Sequence, residues 1–165
     1  YYLKTGKMMD ENGLDALRPF DAILFGAAGY PGKVPDRVSP RGLRLKICQG
    51  SDQYVRTRPS CILPGISSPL ANKTSGDIDI MVIRENAEGE YTGAGGRRHP
   101  GLPIDVAVET SVFTRTGVGR IIRYGFETAR KRPRKHFVSS SKSNAQQHVF
   151  SLRRRKRAPL PQRTG

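Results

Sequence analysis

The chain has no tryptophan, two cysteines and only 7% aromatic residues. Cys48 and Cys61 show neither metal-ligand spacing nor a disulfide framework. They read as ordinary packing residues in a reducing cytoplasm, which is the expected location. No apolar stretch approaches the length needed to span a bilayer, and nothing resembles a signal peptide. His99, His136 and His148 also lack ligand spacing, so surface or supporting roles are expected of them rather than metal binding. There is no Gly-x-Gly-x-x-Gly, which removes the usual dinucleotide fingerprint. Hydrophobic content is 36%, low for a compact catalytic domain but not disordered, and 165 residues suffice for one ordinary domain with a core. The first residue is Tyr1 rather than methionine, so the expectation is a processed chain or a start that lies upstream.

Acid is also missing, but only from one end. The net charge is +15. Through Glu127 there are 17 basic and 14 acidic residues; beyond it there are 12 basic residues and no acid. The body is nearly neutral and the end is strongly basic. Such a charge governs steering and nonspecific binding, not fold. Arg153-Arg154-Arg155-Lys156-Arg157 leads into Ala158-Pro159-Leu160-Pro161, a basic, proline-bearing tail without periodicity.

What is present reads as α/β. Asp10 is placed to cap a short helix through Leu14 and Leu17 that Pro19 ends. Ala22-Ile23-Leu24-Phe25 is a continuous apolar run, as a buried parallel strand requires. It feeds a glycine-rich turn, Gly26-Ala27-Ala28-Gly29-Tyr30-Pro31-Gly32. A strand followed by such a turn lets backbone approach a ligand, although a plain strand-to-helix turn would look the same. Leu43-Arg44-Leu45-Lys46-Ile47 leads to a strand across residues 52–59, where Pro59, Pro64 and Pro69 suggest a crossing between domains. Residues 78–83 form a strong strand with Arg84 at its end. Residues 93–98 read as a loop, and residues 106–113 are β-rich. Residues 117–132 make the best helix: Val118, Ile121, Ile122, Phe126 and Ala129 recur near helical period, Thr116 caps it and Pro133 stops it. His136-Phe137-Val138 reads as a strand, with Lys142 just past its end.

Two motifs carry chemistry. Arg84-Glu85-Asn86-Ala87-Glu88-Gly89-Glu90-Tyr91 sets an arginine and a tyrosine on either side of an acidic segment. Lys142-Ser143-Asn144 supplies a lysine with a neighbouring amide. Arginine binds carboxylate, and tyrosine and lysine move protons, so the kit suits a small hydroxy diacid. Taken singly, each residue is more commonly surface or core than catalyst; their order and context together lift them. The pattern resembles the metal-dependent β-decarboxylating hydroxyacid dehydrogenases of the isocitrate/isopropylmalate dehydrogenase family. It is most similar to the branch acting on tartrate and D-malate, to which Leu17-Arg18-Pro19-Phe20-Asp21-Ala22-Ile23-Leu24-Phe25-Gly26 also points. The resemblance runs from Tyr1 to about His148.

The resemblance implies an incomplete α/β fold, the middle portion of a two-domain enzyme. Residues 1–53 would end the first half of the nucleotide-side domain. Residues 54–148 would begin the dimerisation and substrate domain, and residues 149–165 would be a basic, disordered, non-family tail. It implies NAD-dependent oxidation of a 2-hydroxy diacid such as tartrate or D-malate, with possible decarboxylation, assisted by magnesium or manganese. Arg58 and Arg84 would grip carboxylates, Tyr91 would protonate the enol carbon, and Lys142 would accept the hydroxyl proton. Gly26, Gly29 and Asn144 would lie at the cofactor. A homodimer is implied, interlocked by an arm from Glu88 to Thr110. Departures matter equally. The family commonly has an arginine ten residues before the Arg58 equivalent, where this chain has Cys48; Arg44, one helical turn earlier, is the substitute candidate. The family's opening glycine loop, its tryptophan-bearing helix and its metal-binding aspartates have no counterpart here. The expectation is therefore an inactive fragment whose tail is a foreign or out-of-frame continuation. The alternatives are a basic nucleic-acid-binding protein acting through its tail, and a non-catalytic dimer partner.

Overall fold

The computed structural model describes residues 1–30, 32–34, 38–140 and 148. The chain divides into two compact units, Tyr1–Tyr54 and Val55–Gly165.

The first unit is built from short helical pieces: α1 (Tyr2–Thr5), α2 (Gly13–Leu17), a π-helical stretch over Pro40–Leu45, and α3 (Lys46–Gly50) continuing directly from it. Among the described residues, Leu45 and Ile47 are its buried apolar side chains. Helix α3 approaches the α2 region closely: a Cβ on Gly50 would lie 2.7 Å from Leu14 Cδ1. Two expectations fail in this unit. The N-cap position of α2 is Asn12, without a side-chain capping bond, rather than Asp10. Asp10 instead accepts the Tyr1 phenol hydrogen, and its backbone carbonyl accepts the Gly13 N–H at 3.1 Å. Ala22-Ile23-Leu24-Phe25 is not a buried strand either. It is irregular, and Leu24 is fully exposed at 101%. A parallel strand is buried only when neighbours flank it, and among the described residues nothing pairs with this run.

The second unit holds four strands and the long helix. β1 (Val55–Cys61) pairs antiparallel with β2 (Asp79–Glu85), Val55 opposite Glu85 and Cys61 opposite Asp79. β3 (Gly89–Arg98) pairs antiparallel with β4 (Val106–Val112). Pro59 has no N–H to give to a ladder, and it sits in β1, whose other edge pairs with nothing among the described residues. The glycine-rich 93–98 segment, read as a loop, is the second half of β3. Gly95 explains why: a Cβ there would collide with the Val108 carbonyl oxygen, so only glycine allows the two backbones to come this close. His136-Phe137-Val138 forms no strand; Phe137 instead stacks on Phe126 with centroids 4.5 Å apart.

Helix α4 (Arg115–Lys131) meets its sequence expectation closely, but its cap is Thr114 rather than Thr116. The Thr114 hydroxyl oxygen accepts the Gly117 N–H at 2.9 Å, satisfying one of the four free donors of the first turn. Arg130 and Lys131 occupy the last turn, where cations meet the negative end of the helix dipole. The helix runs antiparallel to β2. Its first half reaches the end of that strand through Arg120 and Glu85 (3.5 Å). The residue just past its end reaches the beginning, Arg132 pairing with Asp79 (2.6 Å).

Candidate active site

Strand alternation sorts β2 into two faces. Met81, Ile83 and Glu85 face α4 and are half-buried, while Ile80 and Val82 on the other face are exposed. Arg84 lies on that second face, at the penultimate position of the strand. The turn from β2 into β3 brings Tyr91 back beside it. The Arg84 Nη2 group donates to Tyr91 Oη at 2.6 Å, and the guanidinium carbon sits 4.6 Å from the ring centroid. A hydrogen bond and a cation–π contact on one tyrosine leave the guanidinium little freedom. Because Oη is the acceptor, its own O–H is directed to another group.

Two carboxylates hold this turn, and the sequence reading assigned neither a role. Glu85 Oε2 accepts the N–H groups of Ala87 (2.9 Å) and Glu88 (2.6 Å). Glu88 Oε2 accepts the Thr114 N–H at 2.9 Å, and Oε1 accepts the Thr114 hydroxyl hydrogen. The same threonine that caps α4 thus anchors the turn carrying Tyr91. Charge-assisted bonds of this kind are worth about 1.5–3 kcal/mol each. The signal was present as three acids within one run, but spacing alone does not say which of them turn inward. Asn86, between them, is 3% exposed.

A hollow of about 840 Å³ runs beside this turn. Arg84, Glu88, Tyr91, Ile83, Ile121 and Phe137 are among the residues that line it. Ser140 also borders it, and Lys142 follows two positions later in the sequence, outside the described residues. Asn144 lies outside them as well.

The remaining candidates lie on other elements. Arg58 is an exposed residue of β1, opposite Val82, on the same ribbon face as Arg84. Arg44 is half-buried in the first unit, on the same helical stretch as Cys48. Gly26 and Gly29 are in that unit too, on an exposed irregular segment where Gly29 takes φ 147, a value side chains rarely allow. Among the described residues, no group of three His, Cys, Asp or Glu side chains could hold a metal ion. No helix of the described residues is long and apolar enough to cross a membrane.

The β3–β4 pair completes the region. Its turn is closed by Arg97, whose Nε donates to Asp105 Oδ1 at 2.8 Å. The guanidinium holds the Asp105 carboxyl below the ordinary carboxylate range. Val106, Val108 and Val112 share one face of β4 and are exposed.

A family model for isocitrate/isopropylmalate dehydrogenase matches residues 1–159. The chain belongs to that family. A probable tartrate dehydrogenase/decarboxylase of Agrobacterium vitis is 57% identical over 148 residues, covering 90% of this chain and 41% of the relative. The D-malate dehydrogenase [decarboxylating] of Escherichia coli strain K12 is 51% identical over 144 residues, 87% of this chain and 40% of that one. A tartrate dehydrogenase/decarboxylase of Pseudomonas putida is 47% identical with the same coverage, 87% and 40%. The chain therefore spans about two fifths of the length of these relatives. The crystal structure of isocitrate dehydrogenase from Methylococcus capsulatus superposes with a TM-score of 0.67 at 25% identity, over 93% of this chain and 43% of that one. The likeness to the tartrate and D-malate branch and the incomplete α/β fold of this family are both as the sequence implied.

Proposed function

We propose that the chain is the middle portion of an NAD-dependent tartrate or D-malate dehydrogenase of the decarboxylating kind. The observation that carries this is the 2.6 Å bond from Arg84 to Tyr91 Oη, a carboxylate-binding group locked against a proton donor. In this reading Arg84 and Arg58 bind the ligand's carboxylates from one face of the β1–β2 ribbon. Arg44 contributes a further guanidinium. Tyr91, its Oη already an acceptor, gives its proton to the enol carbon. Lys142 takes the proton of the substrate hydroxyl. Gly26, Gly29 and Asn144 lie at the cofactor, the open glycine backbone allowing close approach. NAD, when bound, supplies the hydride acceptor. Among the described residues no group of His, Cys, Asp or Glu side chains fits magnesium or manganese.

The exposed valine face of β4 supports a homodimer formed through the arm, in a cytoplasmic enzyme. The chain alone is read as catalytically inactive. The basic tail lies outside the described residues, and no relative described above is a nucleic-acid-binding protein, so that alternative gains no support.

The test is the purified chain with manganese, NAD and either tartrate or D-malate. Calorimetry would follow ligand binding, absorbance the reduced nicotinamide, and sedimentation the dimer. The expected result is diacid binding that Arg84→Gln abolishes, without turnover. Metal-dependent turnover would refute the inactive-fragment reading. Diacid binding indifferent to Arg84→Gln would refute the site.

A further inference from the structure

We propose that Gly117 is a positioning residue for the Arg84–Tyr91 pair, acting by leaving room for the Glu88 carboxylate against the first turn of α4. The inference rests on the diacid-site reading of Arg84 and Tyr91. Gly117 is buried within that first turn. Its φ is not positive, so no left-handed conformation calls for glycine there. In a helix, glycine is among the poorest residues and alanine the best. What glycine provides at this position is space. A Cβ on Gly117 would collide with the whole Glu88 carboxyl group, Cδ, Oε1 and Oε2. The carboxylate therefore lies directly on the helix backbone, at the end where the helix dipole favours negative charge. The Gly117 N–H goes to the Thr114 hydroxyl oxygen at 2.9 Å. Glu88 instead takes the Thr114 N–H at 2.9 Å and the Thr114 hydroxyl hydrogen.

This seat reaches the site through a short, crowded stretch of chain. Gly89 is buried, stands opposite Val112 and takes φ 74. A Cβ on it would lie 3.4 Å from Phe113 Cε1, so the turn already packs closely against the residue that leads into α4. Tyr91 follows two positions later, too near to absorb a displaced turn. Arg84 Nη2 donates to its Oη at 2.6 Å, and a hydrogen bond weakens steeply once its distance and angle leave a narrow range. Glu85 holds the start of the turn through the Ala87 and Glu88 N–H groups; Glu88 holds its end. A methyl group at position 117 evicts the Glu88 carboxylate and frees that end. Tyr91 then leaves Arg84, and the guanidinium loses the fixed orientation with which it meets a carboxylate.

Calorimetry with D-malate on the full chain tests this, together with NMR of the arginine side-chain N–H groups. A guanidinium held on a phenol and its ring gives resolved, slowly exchanging signals, and a loose one does not. Gly117→Ala is expected to broaden the Arg84 signals and to weaken D-malate binding about tenfold, the scale of one charge-assisted contact. Glu88→Ala should do the same. In the double variant the losses should not add, because the new methyl enters space the carboxylate has left. Unchanged Arg84 signals in Gly117→Ala overturn the inference, as do additive losses, which mark two independent effects. Gly125→Ala is the control on the same helix, where a Cβ meets the Phe137 ring instead. It should leave the Arg84 signals sharp; equal broadening overturns the proposal. If Gly117→Ala loses its helical signal in circular dichroism, Glu88→Gln decides. It keeps the shape and loses the charge that holds Thr114, and unchanged Arg84 signals there overturn the inference. Arg84→Gln separates the two readings. If it abolishes D-malate binding while Gly117→Ala does not weaken it, only the positioning role fails. If it leaves D-malate affinity intact, or the chain binds no D-malate, the diacid-site reading fails and the Arg84 signals alone decide the role of Gly117.

Discussion

Helix α4 on β2 and the β3–β4 arm are adjacent in sequence and stabilised by different means. The helix buries Val118 and Ala129, is capped by Thr114, and is tied to β2 near both ends by ion pairs. The arm's β4 is exposed along its whole length, and β3 buries only Gly89. Its stability comes from ladder hydrogen bonds, one backbone close approach and the Arg97–Asp105 pair. A two-stranded ribbon is at best marginal alone in water. An amphipathic helix against a strand carries its own stability, whereas an exposed hairpin gains most of its stability when something covers it.

The comparison can be broken most strongly at Gly95. Gly95→Val drives a side chain into the Val108 carbonyl, and backbone cannot yield as a side-chain tip does. The expected cost is about 3 kcal/mol, confined to the arm. Hydrogen exchange would show lost protection from Ala94 to Arg98 while α4 amides stay protected. If α4 loses protection equally, the two regions are one cooperative unit.

Thr114→Ala reaches both regions, because it removes the helix cap and a donor to Glu88. A loss of about 1 kcal/mol is expected in urea unfolding. The Arg84–Tyr91 contact should loosen with it, as Glu88 loses part of its anchor. Urea unfolding identical to wild type would show that the cap does not hold the turn.

Arg132→Ala cuts the ion pair to Asp79, whose side chain is 62% exposed. The effect should be about 0.5 kcal/mol, and smaller still in high salt. A larger loss would place the helix's stability at its C-terminal end.

Acid should act first on the arm, and least in energy. Asp105 has a folded pKa lowered by Arg97, so its contribution is fully present above the unfolded aspartate value. It is lost as pH falls through the lower folded value. Arm amides near Asp105 should therefore lose protection on acidification below the ordinary aspartate range, and Arg97→Gln should weaken that dependence, the Gly101 N–H bond to Asp105 remaining. A helix that responds at the same pH, with the arm unmoved, would reverse the assignment.

The parts legible in sequence were those whose signal is local. Val118, Ile121, Ile122, Phe126 and Ala129 recur at helical spacing whatever surrounds them, and α4 formed where they predicted it. The strand signals of β2 and β4 held for the same reason. Arg84 and Tyr91 could be picked out as a pair, although their contact depends on a turn held by Glu85, Glu88 and Thr114, the last lying 26 positions beyond Glu88. Signals that need a partner failed. The Ala22-Ile23-Leu24-Phe25 run has a buried strand's composition but no described neighbour to bury it. The glycines of β3 look like loop because a glycine's missing side chain leaves no pattern. Only the approach of Val108 gives that absence a purpose.

By itself the sequence determined the family, the long helix and the chemical character of Arg58, Arg84 and Tyr91. Those depend on residue identity and on short-range periodicity, which a chain carries before it folds. Only the tertiary structure decided that Arg56 faces Arg84, that Glu85 turns away from it, and that Thr114 caps the helix and anchors the turn together. Strand register and turn closure are set by contacts between distant residues, and no local pattern encodes which pair will meet.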